Sequence, residues 1–442
     1  MNPMHDDDTH LDAWIDAHFE EEVRFLQALV RVPTDTPPGD NAPHAEATAA
    51  LLEGFGFDVE RHPVPEDLVR AQGMASITNL VVRRRFGAGP TIALNAHGDV
   101  VPPGEGWHHD PYGGEVEDGK LYGRAAAVSK SDFATYTFAL RALDALAADS
   151  ALDALAADSA LEARAGDAPG TALAGTVELH FTYDEEFGGE LGPGRLLAQG
   201  IVAPDLLIAA GFSHQVVTAH NGCLQLEVTV HGKMAHAAIP DTGVDALHAA
   251  VAILNALYAQ NGLYRSVTSS VEGITHPYLN VGAIEGGTHT NVVPGKVVFR
   301  LDRRMIPEED PATVESTLRR VIADAAATRP GVAVEVRRLL LARALKPVAG
   351  NAALVGALQR HGEAVFGEPI PTSGTPLYTD VRLYGEAGVP AAIYGAGPRT
   401  VLESNAKRAD EHLVLADLRG ATKVVARTLR ELLAVHPAGA NA

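Results

Sequence analysis

The chain has 442 residues, a formal charge of −21, 46% hydrophobic and 21% charged residues, and a single cysteine. That length exceeds an ordinary single core, so two domains are expected, with the composition of a globular rather than a disordered protein. The acidic balance argues against nucleic acid and anionic membrane as partners, and the lone Cys223 excludes an internal disulfide and a thiolate metal cluster.

The amino terminus, MNPMHDDDTH, lacks the basic-then-apolar pattern of a secretory signal. No apolar run approaches the roughly 20 residues that a membrane helix needs. A cytoplasmic enzyme is the expectation. Apolar residues at Trp14, Ile15, Phe19, Val23, Leu26, Leu29 and Val30, with acids between them, predict a helix over 11–30 that stops at Val32-Pro33. A second helix is predicted over 45–54 and strands over 57–60 and 79–82. Ile92-Ala93-Leu94 reads as a buried strand ending in His97-Gly98-Asp99, at the edge where open α/β sheets bind ligands.

A helix over 133–148 leads into an exact duplication, ALDALAADS at 142–150 and again at 151–159. A nine-residue shift rotates a helix by about 900°, half a turn out of phase. Leu152 and Leu155 would face away from Leu143 and Leu146, which suits a surface helix extension or a loop insertion and carries no chemistry. Strands follow over 176–183, running into Asp184-Glu185-Glu186, and over 203–210.

From Leu224 to Val230 apolar and polar residues alternate, as in a sheet with one wet face. A helix over 244–260, a strand over 297–301 and a helix over 311–326 complete a smaller α+β section. A helix over 352–365 and a strand over 391–394 resume the first pattern. The fold class expected is α/β, a mostly parallel sheet covered by helices, interrupted by a smaller α+β domain. Residues 1–218 and 337–442 would form the first domain and 219–336 the insertion.

Taken alone, His-Gly-Asp and an adjacent glutamate pair are weak signals, but both sit at the ends of buried strands. Side chains of neighbouring strand residues point opposite ways, so one glutamate can hold a metal while the other reaches water as a general base. HGDVVPPGEGW with DPYGGEVEDGKLYGR, then YDEEFGG, HGKMAHAAIPDTGVDA, GGTHTNVVPG with LDRRMIP, and TDVRLYGEAGVPAAIYGAGP occur in that order. Together they resemble the di-zinc amidohydrolase family of aminoacylase, acetylornithine deacetylase, succinyl-diaminopimelate desuccinylase and carboxypeptidase G, over nearly the whole chain from about residue 15.

The resemblance implies a catalytic domain with an inserted lid or dimerisation domain, and a homodimer. It makes His97 a metal ligand, Asp99 the carboxylate that orients it, Glu185 the general base and Glu186 a second ligand. His236 would stabilise the oxyanion, and Asn291 and Arg304 would hold a substrate carbonyl or carboxylate. The strand around Leu224–Val230 is the expected edge along which two copies meet.

Three of the five protein ligands implied by the resemblance are absent. The bridging aspartate position is Val128, the acid after the 203–210 strand falls at Gly211, and the histidine four residues before Glu411 is Lys407, or Asn405 if the loop is longer. Substitutes to weigh are Asp132, which could instead cap a helix, and His214 and His220, which could instead decorate a loop. His97 and Glu186 alone would under-coordinate two cations. The expectation is therefore one divalent metal, zinc by ligand type, or none, rather than an intact two-metal centre. The leading function is hydrolysis of a linear amide bond in an N-acyl or N-carbamoyl amino acid or a dipeptide-like compound carrying a carboxylate. The alternative is a non-hydrolytic descendant that binds such a molecule.

Overall fold

The computed structural model describes residues 3–159, 172–400 and 402–435. The chain divides into two compact units, Met1–Thr218 with Pro347–Thr372 and Leu383–Ala442, and Ala219–Lys346 with Ser373–Arg382. In the first unit α1 spans Pro3–Val30, α2 Ala42–Gly54, β1 Val59–Pro63, β2 Thr78–Arg85 and β3 Thr91–His97. Next come α3 (Lys130–Ser159), β4 (Thr176–Thr182), β5 (Leu206–Ala209) and β6 (Val216–His220), along which the chain passes into the second unit. Both copies of the duplicated nonapeptide lie in α3, which favours the helix-extension expectation. Leu143 and Leu146 are buried, whereas the side chains of Leu152 and Leu155 lie outside the described residues.

The second unit holds β7 (Gly222–His231), α4 (Ala246–Tyr264), β8 (Tyr278–Gly286), β9 (Lys296–Met305), α5 (Pro311–Ala327) and β10 (Ala333–Ala342). Its sheet runs β8-β9-β7-β10, antiparallel throughout. The predicted alternation is present. Leu224, Leu226, Val228 and Val230 are fully buried against Ala249, Ile253 and Leu257 of α4 and Leu318 and Ile322 of α5. Glu227, on the other face, pairs with Arg300 at 2.9 Å and Arg337 at 2.8 Å.

The expectation that Leu224–Val230 is a sheet edge is overturned. Leu226 pairs with Leu301 on one side and Arg338 on the other, so this strand is interior and the edges are β8 and β10. Alternation reports one wet face and is silent about lateral neighbours. β10 also runs through residue 337, the expected border, because it stays paired with β7 as far as Ala342.

The chain returns to the first unit with α6 (Ala352–Phe366), β11 (Ala391–Ile393) and α7 (Leu415–Leu433). Seven of that unit's eight sheet strands run in the order β1-β2-β4-β3-β5-β11-β6. The centre is parallel, and β1, β2 and β6 flank it antiparallel. β3 and β4 are buried from their second residue onward, as strands covered on both faces must be. In β2, Leu80 and Val82 face the main core, while Val81 packs on Leu196 and Val202 across the sheet.

The predicted elements do not include α7, although Leu418, Ala421, Val425, Leu429 and Leu433 recur at helical spacing and are buried. It lies against α1 with matched charges. Asp8, Asp12 and Asp16, four residues apart, meet Arg430 at 2.6 Å, Arg427 at 2.8 Å and Lys423 at 2.8 Å. No helix among the described residues is long and apolar enough to cross a membrane.

Glu22 of α1 is fully buried and accepts a hydrogen bond from Thr422 Oγ1 at 2.6 Å. Burial, opposed by that bond and by Arg419 and Arg141, pushes its carboxyl up from 4.5 to about 8. Between those values the folded chain holds a proton that the unfolded chain has released, so this group costs stability as pH rises from 4.5 to about 8. Glu22→Gln should remove that slope. Urea midpoints of the wild type and the variant, compared across this window, check it; a difference that stays constant with pH contradicts it.

Candidate active site

β3 and β4 are parallel neighbours with His97 paired to Thr182, so the segments that follow them open from the same sheet edge. The next position in the chain must be glycine. A Cβ on Gly98 would lie 2.4 Å from Cε1 of Tyr183, whose hydroxyl is fixed 2.9 Å from His44 Nδ1.

Asp99 is fully buried. Its Oδ1 accepts from the Glu185 amide at 3.2 Å and its Oδ2 from the Glu186 amide at 2.9 Å. It thus satisfies the N–H groups that open the 3₁₀ turn Glu185–Phe187. The glutamates stand in this turn, beyond the end of the strand, so Asp99 sets their separation in place of the alternation of a strand.

His97 Nδ1 lies 3.0 Å from the Asp99 backbone carbonyl and 3.4 Å from its Oδ1. The carbonyl is therefore the nearer acceptor for the imidazole proton, and the carboxylate serves mainly the glutamate turn. With the proton on Nδ1, Nε2 presents a lone pair, 3.9 Å from Glu185 Oε2. Ser129 Oγ fastens the end of β3, accepting from the His97 amide at 3.0 Å and donating to its carbonyl at 2.8 Å.

Two loops carry positions where the family resemblance places metal ligands, and a buried ion pair locks them together. Arg124 and Glu411, 0% and 2% exposed, meet at 2.6 Å. Glu411 also accepts from the amides of Ala127 at 3.3 Å and Lys407 at 3.2 Å, and its carbonyl accepts from Gly123 at 2.9 Å. Burial raises the Glu411 pKa above the ordinary value, and Arg124 opposes the shift. Sequence reasoning did not single out either residue.

On this scaffold Val128 offers no lone pair. At Gly211 there is no space for an acid, because a Cβ would lie 2.3 Å from Ile393 Cγ2. Asn405 is engaged in its own turn, its amide 3.5 Å from the Asp410 carbonyl. Lys407 Nζ donates to Glu186 Oε2 at 2.8 Å, where the lysine side chain is 53% exposed and the glutamate 10%. Desolvation works against the ammonium, but Glu186, Glu185 and Asp99 together outweigh it and hold its pKa above the ordinary lysine value.

None of the weighed substitutes completes a metal shell. Asp132 is buried at the start of α3, where its Oδ1 accepts from the Ala396 amide at 2.7 Å; burial pushes its carboxyl up to about 8. It ties two distant segments of the first unit, rather than capping its own helix. His214 gives its two ring nitrogens to Glu368 at 2.8 Å and Asp417 at 3.1 Å. His220 is buried in the second unit, with Nδ1 2.8 Å from the Asn221 carbonyl and its pKa lowered to about 4 by burial.

In the second unit His236 and Asn291 come together. His236 pairs with Val292 in a two-stranded ribbon, and Ala237 donates to the Asn291 carbonyl at 2.9 Å. His236 Nδ1 accepts from the Ala238 amide at 3.0 Å, which leaves the proton on Nε2. The Asn291 side chain meets His289 Nδ1 at 2.7 Å, a partner that sequence reasoning missed. Arg304 on β9 is held by Asp302 at 2.8 Å and lies over the Tyr378 ring.

A metal centre needs several lone-pair donors at one point. Among the described residues no three His, Cys, Asp or Glu side chains converge to hold an ion. Of the implied ligands His97 and Glu186 are present, and Glu186 is occupied by an ammonium. These residues do not fit a two-metal centre.

A family model described as peptidase dimerisation domain matches residues 218–330. Over 412 residues the chain is 30% identical to the succinyl-diaminopimelate desuccinylase of Methylobacterium nodulans, covering 92% of this chain and 94% of that protein. It is 26% identical over 424 residues to the enzyme of the same name from Acidiphilium cryptum, covering 92% and 98%. Among solved structures, an M20 family metallo-carboxypeptidase from Sulfolobus solfataricus aligns with a TM-score of 0.72 at 18% identity, covering 93% of this chain and 98% of that one.

The buried Arg124–Glu411 pair generates a stability prediction. Glu411→Ala leaves the guanidinium buried without its partner, and removal of one member of such a pair costs about 3–5 kcal/mol. Denaturant unfolding measures the loss. A cost under about 1 kcal/mol, the scale of an exposed pair, contradicts this role.

Proposed function

Because this chain belongs to the M20 family of metallopeptidases and amidohydrolases, we propose that it hydrolyses a linear amide bond in an N-acyl or N-carbamoyl amino acid or a dipeptide-like small molecule. The observation that carries the reading is Glu185, held by Asp99 through its own amide beside His97 at the open edge of the sheet. The relatives named desuccinylases point to a substrate with an acyl group on nitrogen and a carboxylate nearby.

Glu185 acts as general base. It takes a proton from water as the water oxygen bonds to the carbonyl carbon, and it returns that proton to the departing amine, leaving a carboxylic acid, which then ionises, and an amine. His236, with its Nε2 proton, is assigned to the oxyanion, and Asn291 and Arg304 to the substrate's carbonyl or carboxylate. A divalent ion in this family supplies Lewis acidity and a more acidic water. The donor set of this chain does not fit the two-ion version, so no step here passes through an ion. The cytoplasm is the proposed location.

A homodimer is assigned to the second unit. Its free edge β8 and the outer face of α4 are the surfaces offered. On α4, Leu247, Val251 and Tyr258 are 44%, 45% and 51% exposed and recur at helical spacing, an apolar stripe that a second copy would cover. Val251→Asp should turn a dimer into a monomer in size-exclusion chromatography with light scattering, with little effect on thermal unfolding at high dilution. Wild type that is already monomeric at high concentration contradicts the assignment.

The hydrolase reading is tested by amine release from a panel of N-succinyl, N-acetyl and N-carbamoyl amino acids and dipeptides. Glu185→Gln should lower kcat by about 10²–10⁴-fold, the range for loss of a positioned base. No release across the panel, or a variant as fast as wild type, contradicts it.

A further inference from the structure

We propose that the Lys407 ammonium is the resident cation of this carboxylate cluster, standing where the family resemblance places a metal-binding imidazole and neutralising Glu186 in place of a divalent ion. Three carboxylates, Asp99, Glu185 and Glu186, are gathered at one sheet edge. Asp99 is fully buried, and Glu185 and Glu186 each have side chains only 10% exposed. Charge held this far from water needs a nearby opposite charge. Lys407 is placed to supply it, 2.8 Å from Glu186 Oε2.

The lysine is also held in position. Its backbone takes a left-handed conformation, φ 61°, and its amide donates to Glu411, which Arg124 fixes. The loop is thus anchored where a ligand would be anchored, and the side chain it presents carries a charge in place of a lone pair. The other two lost positions agree with this. Val128 provides neither donor nor charge, and the Cβ of any acid at Gly211 would run into Ile393. Of the metal ligands implied by the family resemblance, an incoming zinc ion would meet His97 and Glu186 alone, and it would have to displace an ammonium from Glu186.

An ammonium has three N–H donors, and Glu186 uses one. The side chain is half-exposed, so a second donor can reach a substrate carbonyl oxygen. As water bonds to the carbonyl carbon and Glu185 takes the proton, the carbonyl electron pair moves onto that oxygen and is held by the lysine N–H. Collapse then expels the amine, which recovers the proton from Glu185. This catalytic half rests on the hydrolase reading; the binding half does not.

The test uses the full chain, stripped with chelator and then exposed to Zn²⁺ alone, with retained metal measured after desalting. Wild type should retain well under one zinc per chain, and Val128→Asp combined with Lys407→His should retain about one or more. Lys407→His alone, which leaves the Val128 loop untouched, should retain more than wild type and covers the case in which the double variant does not fold. Stoichiometric zinc in wild type, or no gain in any folded variant carrying His at 407, overturns the proposal.

With the substrate found in the amine-release panel, Lys407→Met should lower kcat by about 10²–10³-fold, the scale for a lost oxyanion donor, and Lys407→Arg should recover part of it. Wild-type turnover abolished by chelator and restored by zinc would overturn the lysine proposal while the hydrolase reading stands. No turnover of any panel compound would overturn the hydrolase reading, and zinc retention would still decide the lysine's role.

Discussion

Carboxylate repulsion at the C-terminal edge of the parallel strands is the constraint that the candidate site is built around. Asp99, Glu185 and Glu186 converge there because two adjacent parallel strands end side by side and because the amides of both glutamates are fastened to the aspartate. Such a cluster is stable only with compensating charge. In this chain the compensation is covalently attached. Lys407 reaches Glu186 from a loop that the buried Arg124–Glu411 pair ties to the segment carrying Val128. Scaffold and charge balance are both preserved, while of the metal ligands implied by the family resemblance only an imidazole and an occupied carboxylate remain.

Much of this was legible in the sequence. His97 and the Glu185–Glu186 pair stand out because each follows a run of apolar residues that reads as a buried strand, and the structure sets both at one sheet edge. The three replaced positions were also visible, since valine and glycine have no side-chain donor and a lysine ammonium has no lone pair. What the sequence could not display was geometry. Lys407 reads in one dimension as a lost ligand, and its contact with Glu186, 221 residues away, appears only in the fold. Asp99 reads as a partner of His97, yet both its oxygens serve backbone amides of a turn whose form was not predictable from the residues.

The second unit shows the same limit. The alternation from Leu224 to Val230 reported one buried and one wet face correctly, but a strand interior to a four-stranded sheet and a strand at its edge carry the same alternation. The pairing of β7 on both sides settles the matter, and it moves the free edges to β8 and β10. The 142–159 duplication likewise gave a phase argument about side chains, while helix continuity was decided by the backbone.

A lysine, not an ion, neutralises the Asp99–Glu185–Glu186 carboxylates. The most direct measurement is a crystal structure of the full chain grown in zinc, with anomalous scattering recorded at the zinc edge. Lys407 Nζ should then stand against Glu186, with no anomalous peak beside His97 Nε2. A peak shared by His97 and Glu186, with the lysine turned away, would contradict it.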